Sequence, residues 1–309
     1  MLSKSKIEFD RWNTRQGISS WAFQVFQKHN KELTEMYIAH LLSKQYTYRS
    51  LRKNGAEFKD LAHKHFNFRD NSYSDVFNNI EIWSDNFNKF DNWTNLNAIM
   101  AMSANLETYM ATIIKLALES DIGVTFNATK KIDGIEIIKN SDKYPFEVED
   151  KIISCTKGDW SSRVSNFEKI FTFSPTILTN NISSLDKIRK LRNDIGHAFG
   201  REIDKSRNHN ILTPIETQTI KQEKIIEYLK LLFAIARAID KQLMSNNIGE
   251  YQVLYFFHRL IPSLKDDPNS SRKIGNHATL LKKELSKFGD NRVGKLFCRG
   301  LVQYYYNLK

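Results

Sequence analysis

Apolar residues recur at steps of three and four over most of this chain, the interval that keeps one face of a helix greasy. In NKELTEMYIAHLLSK they fall at Leu33, Met36, Tyr37 and Leu41, behind Asn30 as a cap. AEFKDLAHKHFNF continues in the same style, so residues 15–90 read as mostly helical, until NKFDNW (88–93) breaks the pattern. From about 92 to 121 the steps resume at Leu96, Ile99, Met102, Leu106, Met110, Ile113 and Leu116. The next stretch, 122–145, places Asp133-Gly134 between two short runs rich in β-branched residues, which predicts a small β-hairpin. WSSRVSNFEKIFTF predicts a shorter helix that ends at Ser174-Pro175. A further helix starts near Ser183, where Ser183 and Asp186 have capping-box spacing, and Gly200 is placed to stop it. After Pro214, TIKQEKIIEYLKLLFAIARAIDKQLM reads as a long amphipathic helix.

These periods predict an all-α protein. Its core would be an antiparallel four-helix bundle over 92–245, with helical extensions at 1–91 and 246–309. Only 5 Pro and 12 Gly punctuate 309 residues, too few turn formers for an all-β architecture. No run approaches the 18 apolar residues of a membrane span, and the first residues lack the apolar stretch of a secretory signal, so the expected setting is cytoplasmic and off the membrane. Cys155 and Cys298 match no metal or redox spacing, as idle thiols of a reducing compartment would.

Charge changes the picture. With 46 Lys+Arg against 35 Asp+Glu the chain carries +11 at pH 7, an excess that favours a polyanionic partner, of which nucleic acid is the commonest. The tail is especially basic: from Leu281 on it has Lys282, Lys283, Lys287, Arg292, Lys295, Arg299 and Lys309, against Glu284 and Asp290. Tyr304, Tyr305 and Tyr306 sit among them. Basic residues mixed with aromatics suit RNA; a solvated helix face with core tyrosines gives the same pattern.

The densest chemistry lies in KLRNDIGHAF, 190–199. On a helix Arg189, Asn193 and His197 share a stripe with Gly196 and Gly200, while Leu185, Ile188, Leu191, Ile195 and Ala198 face the other way. Arg192 stands at the border, with a side chain long enough to reach the stripe. The two glycines remove bulk from it, so a partner chain or a polynucleotide can approach the backbone. These residue types suit cleavage of RNA through its own 2′-hydroxyl, which needs a base, an acid and cations around a crowded phosphate. Histidine titrates near neutrality, and arginine forks two hydrogen bonds onto phosphate oxygens. Asparagine can orient the imidazole or the ribose. Neither a metal nor any other cofactor is called for. Chance alone supplies roughly 0.4 Arg-x4-His pairs in a chain of this composition, and a second copy, Arg272 to His277, exists without the asparagine. Requiring Arg-Asn-x3-His on an amphipathic helix lowers that expectation about tenfold.

LRNDIGHAFG resembles the R-N-x3-H signature of the HEPN superfamily. ANLETYMATIIKLALESD resembles that family's first helix and IIEYLKLLFAIARAIDKQL its last, so the likeness spans 92–245. The resemblance implies a metal-independent endoribonuclease that acts as a homodimer, with one motif from each subunit across a shared cleft. It also implies a role in bacterial toxin–antitoxin or anti-phage defence, with an antitoxin or defence partner protein. Arg192, Asn193 and His197 take the motif's catalytic positions, and Arg189, Lys190 and Arg201 are the neighbouring candidates for binding RNA. In family toxins paired with a nucleotidyltransferase a tyrosine often lies two after the histidine and is modified; Phe199 stands there, so the likeness does not extend to that route. The alternative function is an inactive bundle of the same family serving as a dimerising or RNA-binding scaffold.

Two other candidates carry less. His63 and His65 point about 200° apart on a helix, which argues against one shared metal. Glu107 could face the cleft and orient His197, or simply face solvent.

Overall fold

The structure, a computed structural model, describes residues 9–14, 17–66, 68, 76–141, 144–210, 212–263, 273–290 and 294–308. It is all-α: 75% helical, with no strand among the described residues. Its helices are α1 (Trp21–Lys53), α2 (Ala62–Phe66), α3 (Ile80–Ser120), α4 (Gly134–Asn140), α5 (Glu149–Thr156), α6 (Trp160–Phe171), α7 (Thr176–Thr179), α8 (Ile182–Ala198), α9 (Ile203–Ser206), α10 (Gln222–Leu243), α11 (Tyr251–Leu260), α12 (Lys273–Phe288) and α13 (Lys295–Asn307). No helix among the described residues is long and apolar enough to cross a membrane.

The described residues of 122–145 form no hairpin. Ile122–Phe126 is a 3₁₀ turn, and Asp133 begins α4 by accepting the Ile135 N–H at 3.1 Å. The pair Asp-Gly serves a helix start as well as a hairpin, and here Gly134 has no positive φ to give the turn. Gly134 is needed for closeness instead: a Cβ there would sit 1.6 Å from the Glu119 carbonyl oxygen. A single antiparallel bridge between Asp121 and Asp133 closes the loop.

The expected break at 88–93 is absent too, because α3 runs through it. Asparagine and aspartate usually compete with the helical backbone. In this stretch their side chains find partners elsewhere: Asp91 meets His40 Nε2 at 2.9 Å and Lys44 Nζ at 2.6 Å, and Asn92 bonds the 218–220 backbone.

The chain divides into two compact units: Met1–Gln24, Tyr109–Thr179 and Ala236–Lys309 form unit 1, and Val25–Thr108 with Asn180–Ile235 form unit 2. In unit 1, Met110, Ile113, Ile114, Phe167, Phe171, Ile239, Leu254, Phe257, Leu281 and Leu301 are buried. Here the tail tyrosines turn inward. Tyr304 donates to Asp133 at 2.7 Å, and the hydroxyls of Tyr305 and Tyr306 meet His258 and His277 Nδ1 at 2.7 and 2.6 Å. His277, end of the second Arg-x4-His copy, is therefore a core residue, 2% exposed. Arg272, Arg292 and Lys309 lie outside the described residues.

Unit 2 holds α8 together with parts of α1, α3 and α10; α6, which the sequence pattern grouped with α8, belongs to unit 1. Helices α1 and α3 are antiparallel: Tyr37 donates to Asn95 at 2.8 Å, Lys44 reaches Asp91, and Tyr48 reaches Ser84 at 3.1 Å. Phe26 of α1 stacks on Phe233 of α10 at 6.2 Å. The apolar steps do what their spacing predicts: Leu96, Ile99, Met102 and Leu106 of α3 and Leu185 and Ile188 of α8 are each 2% exposed or less. A satellite cluster of Leu51, Ala62 and Ile80, with Phe66, Phe77 and Trp83 against it, seats α2.

Candidate functional site

Helix α8 begins one residue before its expected cap. Asn181 occupies the cap position but its side chain does not cap the helix, and Asp186, expected in a capping box, accepts from Arg189 Nε at 2.9 Å instead. The far end is firmly fixed. Phe199 and Gly200 both take left-handed backbone, φ 54° and 77°, and both N–H groups point at the Asp194 carbonyl. Gly200 is there for two reasons, since a Cβ would also lie 2.7 Å from Leu96 Cδ1. It is buried, so only Gly196 offers the open, side-chain-free position that the sequence suggested for both: nothing lies within 4 Å of a Cβ built there.

A polar clasp holds this end of α8 against the 212–220 segment. The Gln218 amide donates to Asp194 Oδ2 at 2.7 Å, and Asp194 itself is only 3% exposed. Gln218 N–H donates to the Gly200 carbonyl at 2.7 Å. Asn92 of α3 closes the other side, donating to the Gln218 carbonyl at 2.9 Å and accepting the Ile220 N–H at 3.1 Å. None of these partners is near in sequence.

Helix α8 runs antiparallel to α3, with Arg192 level with Glu107 and Gly200 level with Leu96. Arg192 and Asn193 are brought together: Nη1 donates to Asn193 Oδ1 at 3.1 Å. Arg192 Nη2 also lies 3.6 Å from Glu107 Oε2, so this glutamate faces the motif's arginine rather than solvent. The imidazole of His197 stands exposed in the last turn. Around the helix His197 sits close to the Asn193 and Lys190 positions, but about 140° from Arg192.

Beside the stripe lies an open groove lined by Ser183, Asp186, Lys187, Arg189, Lys190, Asn193 and Asp194 of α8 with Glu202, Ile203 and Asp204. Arg189 and Lys190 are therefore where a groove-bound strand would meet them, although Arg189 shares its charge with Asp186. Arg201 is not among the residues lining this groove; its Nε donates to the Ile215 carbonyl at 2.6 Å and its guanidinium lies over the Phe199 ring at 5.3 Å. The Lys205 ammonium bonded to Glu202 at 2.7 Å holds that carboxyl below its ordinary range, and Lys190 adds to the effect.

No family model, curated protein or solved structure matches this chain. The site must therefore be read from its own residues. His65, the other sequence candidate, meets Asp60 Oδ2 at 3.0 Å within the α2 region. The signals that sequence reasoning missed are Asp194 and Gln218, whose pairing needs the fold, and Lys187, which its spacing one turn before Lys190 could have flagged.

Proposed function

We propose that this chain is an endoribonuclease of the HEPN type, acting on single-stranded or looped RNA without a metal. One observation carries the reading: Arg192 and Asn193 are held side by side on the helix whose last turn exposes His197, beside a groove that offers Arg189 and Lys190 to phosphate. In the reaction the 2′-oxygen attacks phosphorus and the P–O5′ bond breaks. The 2′-proton passes to a base, and an acid protonates the departing 5′-oxygen, leaving a 2′,3′-cyclic phosphate and a 5′-hydroxyl. Arginine neutralises the phosphorane charge and asparagine holds the imidazole or ribose.

One chain supplies one motif histidine, whereas this reaction uses both a base and an acid. A two-fold homodimer supplies the second without new sequence, and Gly196 is the open point on α8 where a second backbone could approach. The proposed setting is a cytoplasmic toxin or defence effector held in check by a partner protein. The pairing of Arg192 with Glu107 favours a second reading, an inactive RNA-binding scaffold, because that arginine already has a carboxylate.

The test is cleavage of a labelled single-stranded RNA in EDTA, with the ends identified chemically. Cyclic phosphate and 5′-hydroxyl ends that disappear in His197→Ala support the enzyme. RNA binding without cleavage, unchanged by that substitution, supports the scaffold.

A further inference from the structure

The groove beside the motif does not end at Lys190. A second depression, lined by Lys187, Lys190, Leu191, Gln218, Thr219, Ile220, Lys224, Tyr228 and Glu202, shares Lys187, Lys190 and Glu202 with the first. The two make one surface that crosses α8 and continues onto the start of α10. We propose that Lys187 and Lys224, with Lys190 between the two depressions, form a phosphate-binding track that carries an RNA strand from the motif groove toward α10.

The charges decide the occupant. Three of the four carboxylates along the track are engaged, Asp186 by Arg189 at 2.9 Å, Asp194 by Gln218 at 2.7 Å and Glu202 by Lys205 at 2.7 Å, and the fourth, Asp204, lines only the motif groove and not the second depression. Lys187 and Lys190 stand exposed on one side of α8, one turn apart. Lys224 reaches over the Tyr228 ring at 4.8 Å and meets Glu227 at 2.7 Å, an exposed pair that a phosphate can displace at little cost. Beneath the lysines the lining includes Leu191, Ile220 and the buried Tyr228, an apolar floor suited to ribose or base. Ammonium groups spaced along an open line over an apolar floor fit a strand in which phosphates alternate with flat bases and ribose, whereas an acidic peptide would match the lysines but offers the floor no regular flat face. Lysine here acts as a point charge, so the track adds affinity without sequence choice.

This inference rests on the ribonuclease reading, and the experiment separates the two. His197→Ala protein, which leaves RNA intact, is titrated with a fluorescent twelve-nucleotide single-stranded RNA between 50 and 200 mM salt. The same titration is run with Lys187→Gln and Lys224→Gln added together, both exposed or half-exposed positions that leave the core alone. Each lost phosphate contact lowers the slope of log affinity against log salt by about 0.7 on a single strand, so the pair should lower it by about 1.4 and weaken every sequence alike. An unchanged affinity and slope would overturn the track while leaving the ribonuclease reading standing on the cleavage assay. If His197→Ala protein shows no affinity for RNA, the reading falls and takes the track with it. Unlabelled RNA should displace the probe and polyglutamate of equal charge should not; equal displacement by polyglutamate would overturn the assignment to RNA.

Discussion

Unit 1 buries several charges in hydrogen-bonded networks, whereas the charges along α8 of unit 2, the buried Asp194 apart, stay at the surface. In unit 1 Arg11 is 3% exposed and fully engaged: its guanidinium pairs with both Asp133 oxygens at 2.8–2.9 Å, the Ile248 carbonyl at 2.8 Å and Ser120 Oγ at 2.9 Å. Close by, Gly249 leaves room for the Arg11 carbonyl, which would sit 2.2 Å from a Cβ. Asp240 is buried with Ser20 and Tyr109, and Asp121 with Asn247 at 3.1 Å. In unit 2 Arg189, paired with Asp186, and the exposed Lys187 and Lys190 line an open groove. A buried charge in a saturated network is committed to holding elements together, because removing one partner strands the other. A charge in an open groove costs little to expose and stays available to a ligand. The contrast predicts that substitutions in unit 1 move stability and those along α8 move chemistry.

The largest expected effect falls on His197. Losing a general acid or base costs on the order of 10²–10⁴ in rate. The imidazole is exposed, so His197→Ala should change the unfolding free energy, read from urea curves, by no more than about 0.5 kcal/mol. Full cleavage by this variant, under conditions where chemistry limits the rate, would end the assignment.

Next comes Arg11. Arg11→Met should cost about 3 kcal/mol of folding stability, read by urea unfolding, because the Asp133 side chain, only 10% exposed, loses its cation and keeps Tyr304 as a neutral donor. Cleavage per folded molecule should be unchanged. A variant as stable as the parent would show that the network is dispensable and blur the contrast.

How far the sequence reveals this division depends on distance along the chain. The 3–4 steps at Ile99, Met102 and Leu106 and at Leu185 and Ile188 locate buried faces, since a helix converts spacing directly into one side. Asp133-Gly134 misleads because one dipeptide starts both hairpins and helices, and the Glu119 carbonyl that demands Gly134 comes from another element. Asn92 looks like a break because its partners, Gln218 and Ile220, lie more than 120 residues on. At the site, Arg192, Asn193 and His197 stand out by type and spacing. That Arg192 faces Glu107 and that Arg201 faces Ile215 depends on how helices and loops pack, which no local pattern encodes. Lys224 of the proposed track joins Lys187 only through the approach of α10 to α8.

A pH series sharpens the comparison from within unit 1. Burial pushes the Asp240 carboxyl up to about 6 from 3.8, against hydrogen bonds from Ser20 and Tyr109 that favour the charged form. The folded state therefore holds this proton between about pH 4 and 6 while the unfolded chain has released it. Stability from this group is present at low pH and lost as pH rises through that window, by at most about 3 kcal/mol at 1.36 kcal/mol per unit. Asp240→Asn stays neutral throughout, so its stability relative to the parent should climb from pH 4 to 6 and then level. A flat difference across urea midpoints at pH 4.5, 5.5 and 7.5 would show that the carboxyl does not titrate in that range.

The smallest effect uses Gly196 in α8 and Gly200 just past its end, which look alike in sequence and differ in surroundings. Gly200 combines φ +77° with Leu96 Cδ1 only 2.7 Å from a built Cβ, so Gly200→Ala should destabilise by about 1–2 kcal/mol. Gly196 has ordinary helical backbone and open space, so Gly196→Ala should stabilise by about 0.5–1 kcal/mol through the lost freedom of the unfolded chain. Its activity then separates two meanings of that open space. A methyl group there leaves the monomer undisturbed, but it obstructs any backbone or ribose that must come within van der Waals contact of α8. The expected result is a higher melting temperature with slower cleavage, and light scattering would tell whether a second copy or the RNA is displaced. Higher stability with undiminished cleavage would mean that nothing approaches α8 closely at Gly196, and the case for a second subunit packing on that face would be lost.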